Sequence, residues 1–301
     1  MSIAKYIREI GRGKQGARSL SREQASDLMG QVLDGAVTDL EIGGFCLAMR
    51  IKGETPEEMA GFLDAAQSRL QQVPAGDAPV IVVPSYNGAR KLPVLTPLLA
   101  LLLAREGLAV LLHGQASEST RVFTSDVLKA LDIPTQTTVR PLVKGVVWFV
   151  PTAVLCPGLQ TLLDVRRAVG LRNPAHSLVK IMNPCLGKSL VVSSYTHPEY
   201  AQSMAATFEL MGSNAMLLRG TEGEAVADPR RMPQMDGFLH GQRMLLQEAQ
   251  SGALATLPGL PKEFDAATTA GYIRAVMAGH CPVPIPIAQQ VTHLAHMAAQ
   301  L

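Results

Sequence analysis

The chain has 301 residues, 47% of them hydrophobic and 17% charged, with a formal net charge of +2. That length allows one large domain or two modest ones with a sizeable core, and the balance excludes a disordered or low-complexity protein. With an isoelectric point near 8.4, any nucleic-acid role must come from where charge is placed and not from its total.

Residues 2–72 carry helical periodicity only. Ser21 followed by Gln24, and Thr55-Pro56-Glu57-Glu58, are capping-box patterns, the second with proline at the first helical position. Apolar residues at Ala25, Leu28, Met29, Val32 and Leu33 keep helical spacing. So do Ile42, Phe45, Cys46 and Met49, and then Met59, Phe62, Leu63 and Ala66. A helical bundle is therefore expected over residues 1–73, ending at the linker VPAGDAP. Lys5, Arg8, Arg12, Lys14, Arg18 and Arg22 crowd its first helix and loop against Glu9 alone; a polar face or a supporting seat for an anion fits that pattern.

From Val80 the pattern changes. Val80–Val83, Leu108–Leu112, Val146–Val150, Leu190–Ser193 and Ala215–Leu218 read as short buried strands. Leu95–Arg105, Ser125–Leu131 (capped by Ser125 or Thr124) and Pro198–Met211 read as helices between them. Helical stretches, including Thr268–Ala278, occupy the region from Gln242 through Ala299, and the turn CPVPIPI precedes the last helix. Strands alternating with helices imply a mainly parallel central sheet flanked by helices. The fold class is α/β: a small N-terminal helical bundle and a larger α/β domain over 74–301. The segment Leu162–Met182 looks helical yet falls between strands, so it is expected to dock back onto the bundle.

Cys46, Cys156, Cys185 and Cys281 lie far apart without a CxxC pair, which signals neither a zinc site nor a disulfide framework but reduced, buried thiols. The start MSIAKYIREIGRGK has no apolar signal core. The most apolar run, Leu95 to Leu112, is interrupted by Arg105-Glu106-Gly107 and is too short to span a bilayer. These features predict a cytoplasmic protein with no membrane partner.

The most one-sided stretch runs from Asp164 to Ser189. After Asp164 it carries Arg166, Arg167, Arg172, Lys180 and Lys188, with His176 among them, and no carboxylate recurs until Glu199. Such a segment is either a solvated face or the seat of an anion. On a helix Arg166 and Arg167 point about 100° apart, and Asn173-Pro174 is a break, so the segment reads as a bent basic rim facing the junction of the two domains. Arg90 and Lys91 form a second basic spot, with no acid between Asp77 and Glu106.

Gly107-Leu108-x-Val110-x-x-His113-Gly114, Ser125-Asp126-Val127-Leu128-x-Ala130-Leu131, and Val169-Gly170-Leu171-Arg172 running to Asn183-Pro184 occur in this order along nearly the whole chain. Together they resemble the anthranilate phosphoribosyltransferase family (glycosyltransferase family 3) and, through it, the nucleoside phosphorylase class II fold. The resemblance implies a GTGGD loop that takes phosphoribosyl pyrophosphate on its backbone N–H groups, which only glycines let approach so closely. Here those positions read Pro84-Ser85-Tyr86-Asn87-Gly88; Pro84 lacks an N–H and Tyr86 fills phosphate space. The family's N-x-S-T element falls on Val94-Leu95-Thr96-Pro97. Its KHGNR element falls on Leu112-His113-Gly114-Gln115-Ala116, without the lysine or the arginine. Its magnesium-holding Asp-Glu pair falls on Ala225-Val226, with neither of the carboxylates that a hard cation needs. Glu222, Glu224 and Asp228 nearby read as a solvated acidic loop. Arg172 matches a family arginine associated with the aromatic acceptor.

Tyr86 to Lys91 and Leu171 to His176 are similar to a branch of the family that binds nucleic acid as homodimers and lacks transferase activity. The resemblance implies a protein without a cofactor that binds DNA or RNA through its phosphate backbone, dimerising through its N-terminal helices. The predicted binding residues are Arg90, Lys91, Arg121, Arg166, Arg167, Arg172, His176, Lys180 and Lys188, with Tyr86 a candidate to stack on a base. Two other readings compete. One is a glycosyl- or phosphoribosyl-transferase with an altered site, in which His113 serves as acid or base instead of a structural residue. The other is an interaction module that keeps only the dimer.

Overall fold

Local sequence signals start most of the N-terminal helices. Helices α1 (Ala4–Ile10), α2 (Gly13–Gly16), α3 (Arg22–Leu33), α4 (Asp39–Lys52) and α5 (Pro56–Gln67) follow one another. The last three open on reciprocal capping boxes: Ser21 with Gln24, Thr38 with Glu41, and Thr55 with Glu58. The Thr38 box adds to the two expected. The computed structural model describes residues 2–116, 120–254 and 259–301, apart from the Lys14 side chain.

The chain divides into two compact units. The helical unit is Met1–Gln71 together with Thr152–Pro184; the α/β unit is Gln72–Pro151 with Cys185–Leu301. In the helical unit α3 and α5 touch backbone to backbone, because a Cβ on Gly61 would lie 2.2 Å from the Arg22 carbonyl oxygen. Phe45 and Phe62, both fully buried, meet edge to face with centroids 6.0 Å apart. The returning segment begins at Thr152, earlier than the predicted Leu162, with a short helix Thr152–Leu155 directly after a strand. Its main helix, Pro157–Val169, does not run on towards Met182. It stops at Gly170, whose φ of 74° gives a left-handed cap with its N–H on the Arg166 carbonyl at 2.8 Å.

In the α/β unit, β1 (Val73–Pro74) pairs in parallel with β5 (Cys185–Leu186). The main sheet contains β2 (Val80–Ser85), β3 (Ala109–Gly114), β4 (Val147–Pro151), β6 (Ser189–Tyr195) and β7 (Ala215–Arg219), all parallel. Two antiparallel strands extend it, β8 (Met235–Leu239) and β9 (Gln242–Gln247), giving the order β4-β3-β2-β6-β7-β8-β9. Every residue of β2 and β3 is buried, as strands covered on both faces require. The β8–β9 hairpin was not predicted; it turns on His240 and Gly241, at φ 51° and 79°, the two positive angles of a tight hairpin turn.

The helix after β3, Thr124–Ala130, starts one residue earlier than expected. Asp126 closes its first turn by accepting the Phe123 N–H at 2.8 Å, so neither predicted hydroxyl caps it. Among the described residues no helix is long and apolar enough to cross a membrane.

The winding places the site. From β2 the chain steps through β3 to β4 on one side, and from β6 to β7 on the other. The direction reverses between β2 and β6, and the C-terminal ends of the strands at such a switch point are where α/β sheets bind ligands.

Candidate functional site: a carboxylate-filled loop cluster and two basic groups

At that edge β2 runs out of Ser85 into Tyr86–Leu92, and β7 runs out of Arg219 into Gly220–Ala227. An irregular turn leaves backbone N–H groups that need acceptors when buried. Glu224, 2% exposed, supplies them: its Oε1 accepts the Asn87 and Gly88 N–H groups at 2.7 and 2.9 Å. Its Oε2 accepts the Thr96 hydroxyl at 3.0 Å and the Ser85 hydroxyl, and the latter also bonds Thr124 Oγ1 at 2.7 Å. Gly223 lets the loops meet. Its φ is +89°, and a Cβ there would lie 2.4 Å from Asn87 Nδ2. Its carbonyl accepts from Asn87 Nδ2 at 2.5 Å and from Ser194 Oγ at 2.8 Å. Arg121 fixes the same turn, donating from Nη1 to the Asn87 carbonyl at 2.8 Å.

Glu222 does for residues 90–92 what Glu224 does for the turn. Its Oε2 accepts the N–H groups of Arg90, Lys91 and Leu92 at 2.8, 3.2 and 3.4 Å, while the Arg90 and Lys91 side chains stay exposed. Asp228 accepts from the Arg230 N–H and from both ends of its guanidinium, at 2.9 to 3.0 Å. The expected solvated acidic loop is thus corrected: all three carboxylates are committed to internal donors.

These commitments bear on a magnesium–pyrophosphate complex. The N–H groups at positions 87 and 88 are already on Glu224, and Ala225 and Val226, at the metal-ligand positions, are buried in the apolar core. The residues present do not fit that group. Tyr86 is only 8% exposed, with its hydroxyl on His113 Nδ1 at 2.8 Å and the two rings edge to face at 5.6 Å. It is packed inward against His113, which leaves no exposed ring face for a base, contrary to the expectation that it stacks on one. His113 is fully buried, and burial pushes its pKa down to about 3. It is neutral at ordinary pH, and its Nε2 has no hydrogen-bond partner among the described residues.

The predicted basic residues fall into distinct groups. Arg90, Lys91 and Arg121 gather at the loop cluster. In the helical unit Arg166, Arg172 and Lys180 surround His176. Burial first, then the charge of Arg172, then those of Arg166 and Lys180, hold the His176 pKa at about 4, so it joins them as a neutral ring. Its Nδ1 faces Asn173 at 3.3 Å. Arg167, one residue from Arg166 but on another face of the helix, is exposed and pairs with Asp164 at 3.4 Å. Lys188 is exposed and precedes β6; its carbonyl accepts the Val80 N–H at 3.0 Å. That is the N-terminal edge of the sheet, about 20 Å of strand away from the Arg90 loop. In the N-terminal basic run, Arg22 makes a two-pronged pair with Asp64 at 2.6 and 2.8 Å and Arg12 pairs with Glu9 at 2.8 Å; the Lys14 side chain lies outside the described residues.

The model of the glycosyl transferase family's helical bundle domain matches residues 4–69. The chain is 42% identical over 292 residues to YbiB of Escherichia coli (strain K12), itself uncharacterized, covering 94% of this chain and 90% of that one. It is 28% identical to anthranilate phosphoribosyltransferase of Salinispora arenicola, covering 93% and 82%. Among solved structures, anthranilate phosphoribosyltransferase of Thermus thermophilus superimposes with a TM-score of 0.74 at 22% identity, over 97% of this chain and 87% of that one. The Saccharomyces cerevisiae enzyme, in complex with PRPP and Mg, gives 0.70 at 13%, over 99% and 88%. On fold, on sequence and on the order of its elements, this chain belongs to the anthranilate phosphoribosyltransferase-like family, glycosyltransferase family 3.

Proposed function

We propose that this protein binds nucleic acid through the phosphate backbone, without sequence preference, on a phosphoribosyltransferase scaffold whose pyrophosphate cradle it fills itself. The observation that carries the reading is Glu224, whose carboxylate takes the Asn87 and Gly88 N–H groups. With that seat filled and no carboxylates at positions 225 and 226, the cations left at the loops suit bare phosphates. Arg90 and Lys91 are exposed there, and Arg166, Arg172 and Lys180 supply a second patch. Lysine and arginine on a phosphate chain bind by releasing counterions, which makes affinity steeply salt-dependent.

The proposed partner in assembly is a second copy, joined through the N-terminal helices. Leu40, Leu47 and Ile51 of α4 are 87%, 43% and 65% exposed and share one helical face, an apolar stripe that a second copy would cover. Two linked copies bind one long polyanion more tightly than either alone. The working compartment is the cytoplasm.

The test is a gel shift on unrelated DNA sequences, beside calorimetry with phosphoribosyl pyrophosphate and magnesium. Reversing Arg166, Arg172 and Lys180 together should abolish the shift at moderate salt, whereas reversing Arg167 should leave it nearly intact. A magnesium-dependent heat with phosphoribosyl pyrophosphate and no DNA shift would instead establish the transferase reading.

A further inference from the structure

We propose that the consecutive N–H groups of Arg90, Lys91 and Leu92 are a phosphate-binding nest, that Glu222 is its built-in stand-in ligand, and that a phosphate group enters by displacing that carboxylate. The proposal rests on the nucleic-acid reading only for the source of the phosphate. Three successive N–H groups converging on one oxygen form an anion-binding concavity, and here the oxygen is Glu222 Oε2. Two of the three contacts, at 3.2 and 3.4 Å, are long for N–H to oxygen bonds, so a single carboxylate oxygen serves the nest incompletely. A phosphate presents several oxygens to the same donors.

Glu222 also differs from its neighbour in how firmly it is held. Glu224 is buried with four donors on its carboxylate. Glu222 is partly exposed, and among the described residues its carboxylate accepts only these three N–H groups. It sits at φ 52°, a region a non-glycine residue seldom adopts. Arg90 and Lys91, whose N–H groups help form the nest, carry exposed cationic side chains, and Arg230 lies near enough for the Glu222 charge to act on it. A phosphate entering would keep those cations and gain charge-assisted bonds. Of the nest, Leu92 and Glu222 border a narrow cleft with Ala89, Pro93 and Thr221, so room for a phosphate comes from moving the Glu222 side chain.

The experiment follows the amide resonances of Arg90, Lys91 and Leu92 by NMR in the whole protein, with two probes: inorganic phosphate, and a short oligodeoxynucleotide without terminal phosphates. Glu222→Gly removes the carboxylate and suits the positive φ; Glu222→Gln keeps the side-chain length, loses the charge and serves should the glycine variant not fold. Either variant should bind inorganic phosphate more tightly than the wild type, by about tenfold for the glycine form, with saturating shifts at the three amides. If the oligonucleotide moves the same amides in the wild type, the nest reads backbone phosphates. If only inorganic phosphate moves them, the nest stands and its ligand is a small phosphate, whatever the gel shift shows. Amides unmoved by either probe in both variants would overturn the proposal.

Discussion

Replacing Glu224 by alanine removes the acceptor from two buried backbone N–H groups, those of Asn87 and Gly88, and from the Ser85 and Thr96 hydroxyls. An orphaned buried donor costs about 1–3 kcal/mol. The hydroxyls can turn towards other acceptors, and water can enter part of the vacated space. The expected net loss for Glu224→Ala is therefore about 3–5 kcal/mol, against a typical total stability of about 5–15 kcal/mol. Glu224→Gln retains one acceptor oxygen but turns an NH2 group towards donors, so it should lose about half as much. Trp148, the single tryptophan, lies on β4 of the α/β unit, so its fluorescence during urea unfolding reports on the affected unit. The midpoint should fall with little change in slope. An alanine variant within about 1 kcal/mol of the wild type would refute the idea that this carboxylate holds the two loops together.

Three further outcomes are expected. The His113 pKa near 3 lies below its ordinary 6.5, so its contribution is complete above pH 6.5 and is lost as pH falls towards 3, when the unfolded chain takes up a proton that the folded one refuses. Between pH 7 and pH 5 this amounts to about 2 kcal/mol, so the unfolding free energy of His113→Gln, taken from urea melts, should vary less with pH by that amount. Glu58 is fully buried, paired with Lys52 at 2.6 Å and bonded to the Leu20 and Thr55 N–H groups. Glu58→Ala should cost the helical unit about 3–5 kcal/mol, read from thermal unfolding by circular dichroism. Leu47→Glu with Ile51→Glu should leave helix content unchanged and give a monomer in analytical ultracentrifugation; a persisting dimer would move the proposed interface off α4.

The parallel sheet was legible because its strands are short apolar runs between helical stretches, and the bundle because its capping boxes and apolar spacing agree. The β8–β9 hairpin was missed because β9, Gln242–Gln247, is largely polar and exposed; the Gly241 in its turn was the available signal. At the site, the sequence showed which phosphate-binding residues were replaced but not what replaced them. Glu224 reaches Asn87 across 137 positions, and nothing local distinguishes it from a solvated acid except the glycine before it. Thr96 stands in the sequence only as one position of the family's N-x-S-T element, and its bond to Glu224 comes from the fold. The basic rim divided for a reason visible in helix geometry: Arg166 and Arg167 face differently, and only the first joins His176.

Whether the protein grips nucleic acid by its phosphates is decided by oligonucleotide affinity of the unmodified protein, measured by fluorescence anisotropy at a series of salt concentrations. Unrelated sequences should bind with similar affinity, and log K should fall linearly with log salt with a slope corresponding to several phosphates, at about 0.9 per duplex phosphate neutralised. Absence of binding at low salt, or an affinity that does not change with salt, would contradict binding through the phosphates.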